Sequence, residues 1–382
     1  MHVYSAYKTN INFSKKRILM KIAFICRYFP QDMVGGGEKY IYEIWKQAKK
    51  DFDISLISGW QNNPKLLPKG TYKIKMGKNK FLNYIRFYFK TKKYLKQIKP
   101  DLIFSTCVEF PIKKKSIFTL CHFGHWLHLK KLNPIEKIIR KLYTNQIKKF
   151  SKVIAISEAT KQDMKTMKIK VHDIVYPGID DDFKPIKHKN KKFILCYPAR
   201  ISPEKGQHIA INAMKHIKNK NIELHIVGFV NDKSYFKKLL KLKQNLPIKI
   251  YPNVDSIKQF YQKSDLILFP TLMFEGFGIT AGEALACEKP LISSDFPAIR
   301  EVADKYAIYT KPGDSKQLAK QIEYLFTNLK KRNKMAKNGR QHILKNFTWK
   351  KTYQQYKKIF KNELPNNTTI QKITISKGYK AQ

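Results

Sequence analysis

The chain has 382 residues, enough for two domains that each bury their own core. Its 76 Lys and Arg against 28 Asp and Glu give a formal charge of +48. The lysines are spread over nearly every segment among abundant Ile, Asn, Tyr and Phe, and no nucleic-acid-binding motif stands out, which excludes a local basic tract and leaves an anionic membrane surface or a phosphorylated substrate as the natural partner. The cysteines Cys26, Cys107, Cys121, Cys196 and Cys287 are scattered, without C-x-x-C pairs, as expected of buried, reduced thiols in a cytoplasmic protein. No apolar run approaches the ~20 residues of a membrane span, and no signal-peptide pattern opens the chain. A soluble or peripheral protein is expected.

Residues 1–16 are polar and lack a period; an ill-ordered extension is expected over 1–19, with Met20 a natural alternative start. A first strand is expected over 18–26, then Gly35-Gly36-Gly37-Glu38 and a helix with Ile41, Ile44, Trp45 and Ala48 on one face. Glycines at a strand-to-helix junction permit a sharp bend and close approach to a ligand, although G-x-G-x-x-G is not met. Further strands are expected over 53–58, 101–105, 116–121, 152–157 and 173–175, alternating with helices, which argues for a doubly wound parallel sheet. Residues 81–95 and 135–152 combine apolar side chains and lysines at helical spacing. They read as core-facing helices with solvated lysines or as basic faces for anionic lipid.

His122, His125 and His128 follow the strand at 116–121 without an acidic residue or a C-x-x-C pair among them, so no metal is expected. Ser157-Glu-Ala-Thr160 reads as a capped helix start. Asp180-Asp-Asp182 reads as a solvated acidic turn. The polar stretch 184–192 reads as a linker. After it come a strand, Arg200, then Lys205 and Gly206, a register able to hold a diphosphate, since Arg offers a bidentate fork and Lys a mobile point charge. Leu224-His-Ile-Val-Gly228 is a strand ending on a close-approach glycine. The apolar run 265–270, a loop with Glu275, Gly276 and Gly278, a helix over 279–287 and a strand over 290–295 then place backbone amides and a helix N-terminus where an anion can sit. Residues 349–360 form a final amphipathic helix.

Glu275-Gly-Phe-Gly278 with Glu283-Ala284 resembles the signature of the family-four retaining glycosyltransferases of the GT-B architecture (group 1 glycosyltransferases), E-G-F-G-x-x-x-x-E-A. The resemblance covers roughly residues 20–360. Gly35, Gly36 and Glu38 match a G-G-x-E loop facing donor phosphates and acceptor; Arg200, Lys205 and Gly206 match R-x-x-x-x-K-G; Ser157 and Thr160 match an S-x-x-T turn; His122, with His125 as fallback, matches a histidine near the transferred sugar. Tyr176–Asp180 resembles the turn leaving the first domain, and Arg300-Glu301-Val302 a helix after the sixth strand. Glu288 departs from a usual glycine, which puts a local turn in doubt.

The resemblance implies an α/β fold of two Rossmann-like doubly wound parallel-sheet domains facing a cleft: an acceptor-side domain at 20–183, the linker 184–192, a nucleotide-sugar domain at 193–348, a crossover helix at 349–364 and a frayed tail at 365–382. It implies transfer of a sugar, with retention, from a nucleotide diphosphate sugar to a hydroxyl acceptor, without metal or further cofactor. Glu275 and His122 would act at the sugar. Arg200, Lys205, Glu283, Gly228, Gly276, Phe277, Gly278, Ile279, Gly35 and Gly36 would hold the donor, with Glu283 on the ribose. Same-face attack is favoured over a covalent Glu275 intermediate. The acceptor would be a glycan or lipid-linked, as in lipopolysaccharide, capsule or other surface-glycan synthesis, at the inner face of the cell membrane. The other readings are a GT-B sugar-nucleotide epimerase or phosphorylase, and a non-catalytic basic protein binding polyanions.

Overall fold

The computed structural model describes residues 19–29, 36–61, 63–112, 115–120 and 133–363. Cys121, His122, His125 and Gly35 lie outside these, as do residues 1–18 and 364–382.

The first sheet holds β1 (Lys21–Cys26), β2 (Asp53–Trp60), β3 (Tyr72–Lys75), β4 (Leu102–Ser105), β5 (Ser116–Leu120), β6 (Lys152–Ala155) and β7 (Asp173–Ile174) in the order β3-β2-β1-β4-β5-β6-β7. All its pairs are parallel. The period of two along β1 assigns each side chain to a face. Ile22 and Phe24 join α1 (Gly36–Ala48), whereas Ala23 and Ile25 join α2 (Lys80–Ile98), α3 (Pro134–Ile147) and α4 (Glu158–Thr166). Burial on both faces is why these strands read as continuous apolar runs. β1 starts at Lys21 rather than at residue 18. β3 was not expected: its Tyr-Lys-Ile-Lys is polar at alternate positions, as an edge strand allows.

The second sheet holds β8 (Phe193–Pro198), β9 (Ile222–Gly228), β10 (Ile248–Pro252), β11 (Leu266–Phe269), β12 (Leu291–Ser294) and β13 (Ile308–Thr310), all parallel, in the order β10-β9-β8-β11-β12-β13. Its helices are α5 (Gln207–Met214), α6 (Lys233–Lys243), α7 (Lys258–Lys263), α8 (Ile279–Ala286), α9 (Pro297–Ala303), α10 (Ser315–Thr327) and α11 (Leu329–Asn346). The strand order of each sheet reverses once, at β1/β4 and at β8/β11. Open parallel sheets take ligands at the carboxyl side of such points.

The last helix, α12 (Trp349–Asn362), packs on the first domain. Its Phe360 ring lies 5.4 Å from Phe104 and 5.8 Å from Phe52. The Tyr356 hydroxyl shares hydrogen bonds of 2.8 Å with both Tyr40 and Thr119. In the acidic turn at 180–182, Asp181 and Asp182 are exposed, as the sequence reading expects, whereas Asp180 is partly buried. Asp180 accepts from the Trp349 indole at 2.7 Å and pairs with Lys39 at 2.5 Å, while Asp182 pairs with Lys258 at 2.5 Å. Asp180 thereby ties the interdomain crossing to α1 and α12, while the exposed Asp182–Lys258 pair adds little. Glu288, where a glycine was expected, has φ 55 and so occupies the left-handed region that favours glycine.

Phe360 is fully buried among four rings, so Phe360→Ala is expected to cost about 3–5 kcal/mol of unfolding free energy. Urea denaturation, with hydrogen exchange followed at β1 and β4, checks this. A loss under about 1 kcal/mol would mean that α12 is not part of the first domain's core.

Candidate active site

Two loops meet at the carboxyl side of β8 and β11. Tyr197 at the end of β8 donates its hydroxyl to the Lys205 carbonyl, and the Leu272 amide donates to the Glu204 carbonyl at 2.9 Å. Lys205 Nζ then donates to Glu275 Oε1 at 2.6 Å, with both side chains only 14% exposed. Thr271 Oγ1 reaches the same carboxylate oxygen at 3.4 Å. Arg200 pairs with Glu204 at 3.2 Å and is half exposed, so its guanidinium is accessible from solvent. At the end of β9, a Cβ on Gly228 would fall 2.0 Å from the Ala199 carbonyl oxygen, so only glycine lets β9 pass this close to Arg200.

Gly278, with φ 89, turns the chain into α8, whose first residue is Ile279. The Phe277 ring is buried between Tyr176 and Phe347, at 6.1 and 5.5 Å. That leaves its backbone, not its ring, for a ligand. Glu283 lies in the second turn of α8, buried, and accepts from the Tyr261 hydroxyl at 2.8 Å. Burial pushes its carboxyl up to about 7, against the opposing pull of the Lys39 ammonium and the Tyr261 hydrogen bond. Glu275 and Glu283 thus sit in unlike settings: one paired to a cation in a loop, one desolvated in a helix.

Across the cleft, β1 and β4 bring Arg27 against the buried Glu109. Burial raises the Glu38 carboxyl on α1, with Arg27 opposing the rise. Gly36 opens α1. A cavity of about 600 Å³ elsewhere, lined by Ile194, Glu223, His225 and Lys249 among others, lies towards the amino ends of β8–β10. Its position separates it from the glycine-rich loop.

Sequence reasoning missed Thr271, Tyr261, the Arg27–Glu109 pair and the partners of Glu301. Glu301 accepts from the Glu158 amide at 2.6 Å, the Ala159 amide at 3.2 Å and the Tyr176 hydroxyl at 2.6 Å. The family resemblance places Arg300-Glu301-Val302 on a helix but assigns Glu301 no partner.

Residues 178–342 match the family model described as glycosyl transferases group 1, and residues 34–183 match glycosyltransferase family 4. The chain is 30% identical over 272 residues to an uncharacterized glycosyltransferase of Methanocaldococcus jannaschii, covering 65% of this chain and 68% of that protein. It is 26% identical over 236 residues to a capsular polysaccharide biosynthesis glycosyltransferase of Staphylococcus aureus, covering 59% and 60%. To a lipopolysaccharide 1,2-N-acetylglucosaminetransferase of Salmonella typhimurium it is 27% identical over 184 residues, covering 44% and 48%. The chain therefore spans less than two thirds of these last two relatives. Among solved structures, Anabaena HepE in complex with UDP and glucose superposes with a TM-score of 0.74 at 19% identity, over 90% of this chain and 100% of that one. WaaG, a glycosyltransferase involved in lipopolysaccharide biosynthesis, gives 0.72 at 17% identity over 87% and 98%. At these identities the structures show the fold, which is GT-B.

Glu283 sets a pH dependence of stability. Its carboxyl titrates near 4.5 when exposed and about 7 when folded, so the unfolded chain releases this proton first. Stability therefore falls as pH rises from about 4.5 to 7, by up to about 3 kcal/mol. Thermal unfolding of Glu283→Gln beside the unaltered chain should show the variant gaining on it across that window and levelling off above pH 7. A difference independent of pH would refute the buried, proton-retaining carboxyl.

Proposed function

This chain belongs to the group 1 glycosyltransferases of family four, and on that premise we propose that it moves a sugar from a nucleoside diphosphate sugar to a hydroxyl acceptor, with retention at the anomeric carbon and without a metal. The observation that carries the proposal is the Lys205–Glu275 pair at 2.6 Å, set between Arg200 and the N-terminus of α8. As the glycosidic bond breaks, negative charge grows on the leaving diphosphate. Arg200, Lys205 and the backbone amides following Glu275 would stabilise that charge more than the ground state. Lys205 would be drawn from Glu275 towards the diphosphate, freeing a carboxylate to hold the sugar hydroxyls and balance the oxocarbenium-like carbon. Glu283, desolvated but able to accept, suits the ribose hydroxyls, and His122 would position the sugar or the incoming hydroxyl. UDP is the natural first probe, because HepE binds UDP and UDP-glucose. Relatives named for capsule and lipopolysaccharide synthesis favour a cell-surface glycan as the product.

Among the described residues no helix is long and apolar enough to cross a membrane. However, α2 exposes Phe81 (72%) and Phe89 (62%), and α3 exposes Ile138 (59%) and Leu142 (61%). Both helices cover the same sheet face, and each begins at the carboxyl edge, which borders the cleft. With Lys90, Lys93, Lys137 and Lys141 also exposed, this surface suits an anionic bilayer presenting a lipid-linked acceptor at the inner membrane face.

Calorimetry with UDP, GDP and ADP at about 0.15 M salt, near the physiological Debye regime, tests the donor reading. One base should bind selectively, and Arg200→Ala/Lys205→Ala should abolish it. Glu275→Gln should keep nucleotide affinity, because Lys205 is released, while losing transfer. Base-indifferent binding that fades with salt would favour a basic scaffold instead. For the membrane reading, sedimentation with anionic vesicles should fall at least tenfold in Phe81→Ser/Phe89→Ser. No lipid-dependent sedimentation of the unaltered chain would remove it.

A further inference from the structure

The Gly276 carbonyl, one residue after Glu275, does not point into the second domain. Ser157 Oγ at the N-cap of α4 and Thr160 Oγ1 in its first turn lie 2.6 and 2.9 Å from its oxygen and donate to it. The Ser157 hydroxyl oxygen also accepts the Thr160 amide at 2.9 Å. The two amides of α4 left over, those of Glu158 and Ala159, are taken by Glu301 of α9 at 2.6 and 3.2 Å. Thus a helix end of the first domain is capped partly by its own serine and partly by a carboxylate of the second. In return its hydroxyls hold a carbonyl of the second domain's glycine loop. Ser157 and Thr160 are buried, so breaking the contact leaves polar groups without water.

This contact sits beside the points where the chain passes between domains. Tyr176, whose hydroxyl donates to Glu301 at 2.6 Å, accepts through its carbonyl from Thr352 at 2.7 Å. Ile179 bridges Thr348. Rotation of one domain against the other therefore displaces atoms here least. The C=O and N–H of one trans peptide point in opposite directions. Fixing the Gly276 carbonyl on α4 therefore aims the Phe277 amide away from the first domain's helix.

We infer that Ser157, Thr160 and Glu301 are positioning residues: they hold the Gly276–Phe277 peptide, and through it Glu275, to the acceptor-side domain at the pivot, so that the sugar-facing carboxylate keeps its register with the acceptor while the cleft opens and closes. The inference rests on the donor-site reading above. It differs from a plain interface role because Arg200 and Lys205 stand outside the contact.

The test compares the unaltered chain with Ser157→Ala/Thr160→Val, Glu301→Gln and Thr160→Ser. Four quantities are read: calorimetric UDP affinity, hydrogen exchange over residues 274–279, Tm, and nucleotide release from whichever of UDP-glucose, UDP-N-acetylglucosamine, GDP-mannose and ADP-glucose is turned over fastest. Expected in the first two variants are exchange at least tenfold faster and kcat at least tenfold lower, with a smaller loss of UDP affinity at unchanged Tm, since the Phe277 amide reaches the diphosphate through the same peptide. Thr160→Ser, which keeps the hydroxyl, should retain kcat. Unchanged exchange and kcat would overturn the inference. So would joint loss of UDP binding and kcat with a lowered Tm, which marks a structural contact. If the unaltered chain neither binds nor cleaves any nucleotide, the donor reading falls, and exchange alone decides whether the loop is held.

Discussion

The contact on which the site depends is the 2.6 Å ion pair of Glu275 with Lys205, both side chains nearly nine-tenths covered, since burying either charge alone would be costly. The pair joins the loop after β8 to the loop after β11, strands that adjoin only because the strand order of the second sheet reverses between them. Neither loop would hold its shape alone: β11 supplies the carboxylate, β8 the ammonium, and the Leu272–Glu204 backbone bond sets their spacing. Gly228 and Gly278 follow from the same crowding, one by giving way to the Ala199 carbonyl and one by turning the chain into α8.

The second constraint is the chain's double passage between domains. Once Ile179 meets Thr348 and Trp349 donates to Asp180, α12 can only lie on the first sheet, and its Tyr356 and Phe360 complete that domain's core. The first domain therefore depends on the far end of the sequence. The cleft is consequently set by buried aromatic packing and a few short polar contacts, Asp180–Lys39 and Glu301–Tyr176 among them.

These two constraints explain what the sequence disclosed. Strands buried on both faces announce themselves as apolar runs, and the Arg200–Lys205 and Glu275–Glu283 spacings are local, so all were legible. Ser157 as a cap was legible for the same reason, since its partner Thr160 is three residues away. Glu301 was not: its partners on α4 lie more than 140 residues earlier, and no periodicity records a contact made only when two domains dock. Asp180 was misread because an acidic triplet after glycine looks solvated until Lys39 and Trp349 arrive from distant segments. The edge strand β3 was missed because it has half the apolar pattern of its neighbours. At Glu288 the glycine signal was absent while the backbone still adopts the positive φ.

The charge of +48 then acquires a place. At the candidate donor site the cations are compensated, Lys205 by Glu275 and Arg200 by Glu204, so the site itself is not a strong positive sink. Among the described residues, exposed lysines without an ion pair stand on helix exteriors such as those of α2 and α3, beside apolar side chains left uncovered. A field spread this way acts at the range of a Debye length and selects surfaces, whereas a diphosphate must displace specific ion pairs at contact distance. On the proposed reading the two kinds of anion recognition would be separated in space: broad and salt-sensitive on the outer face of the first domain, narrow and geometry-limited at the β8/β11 switch.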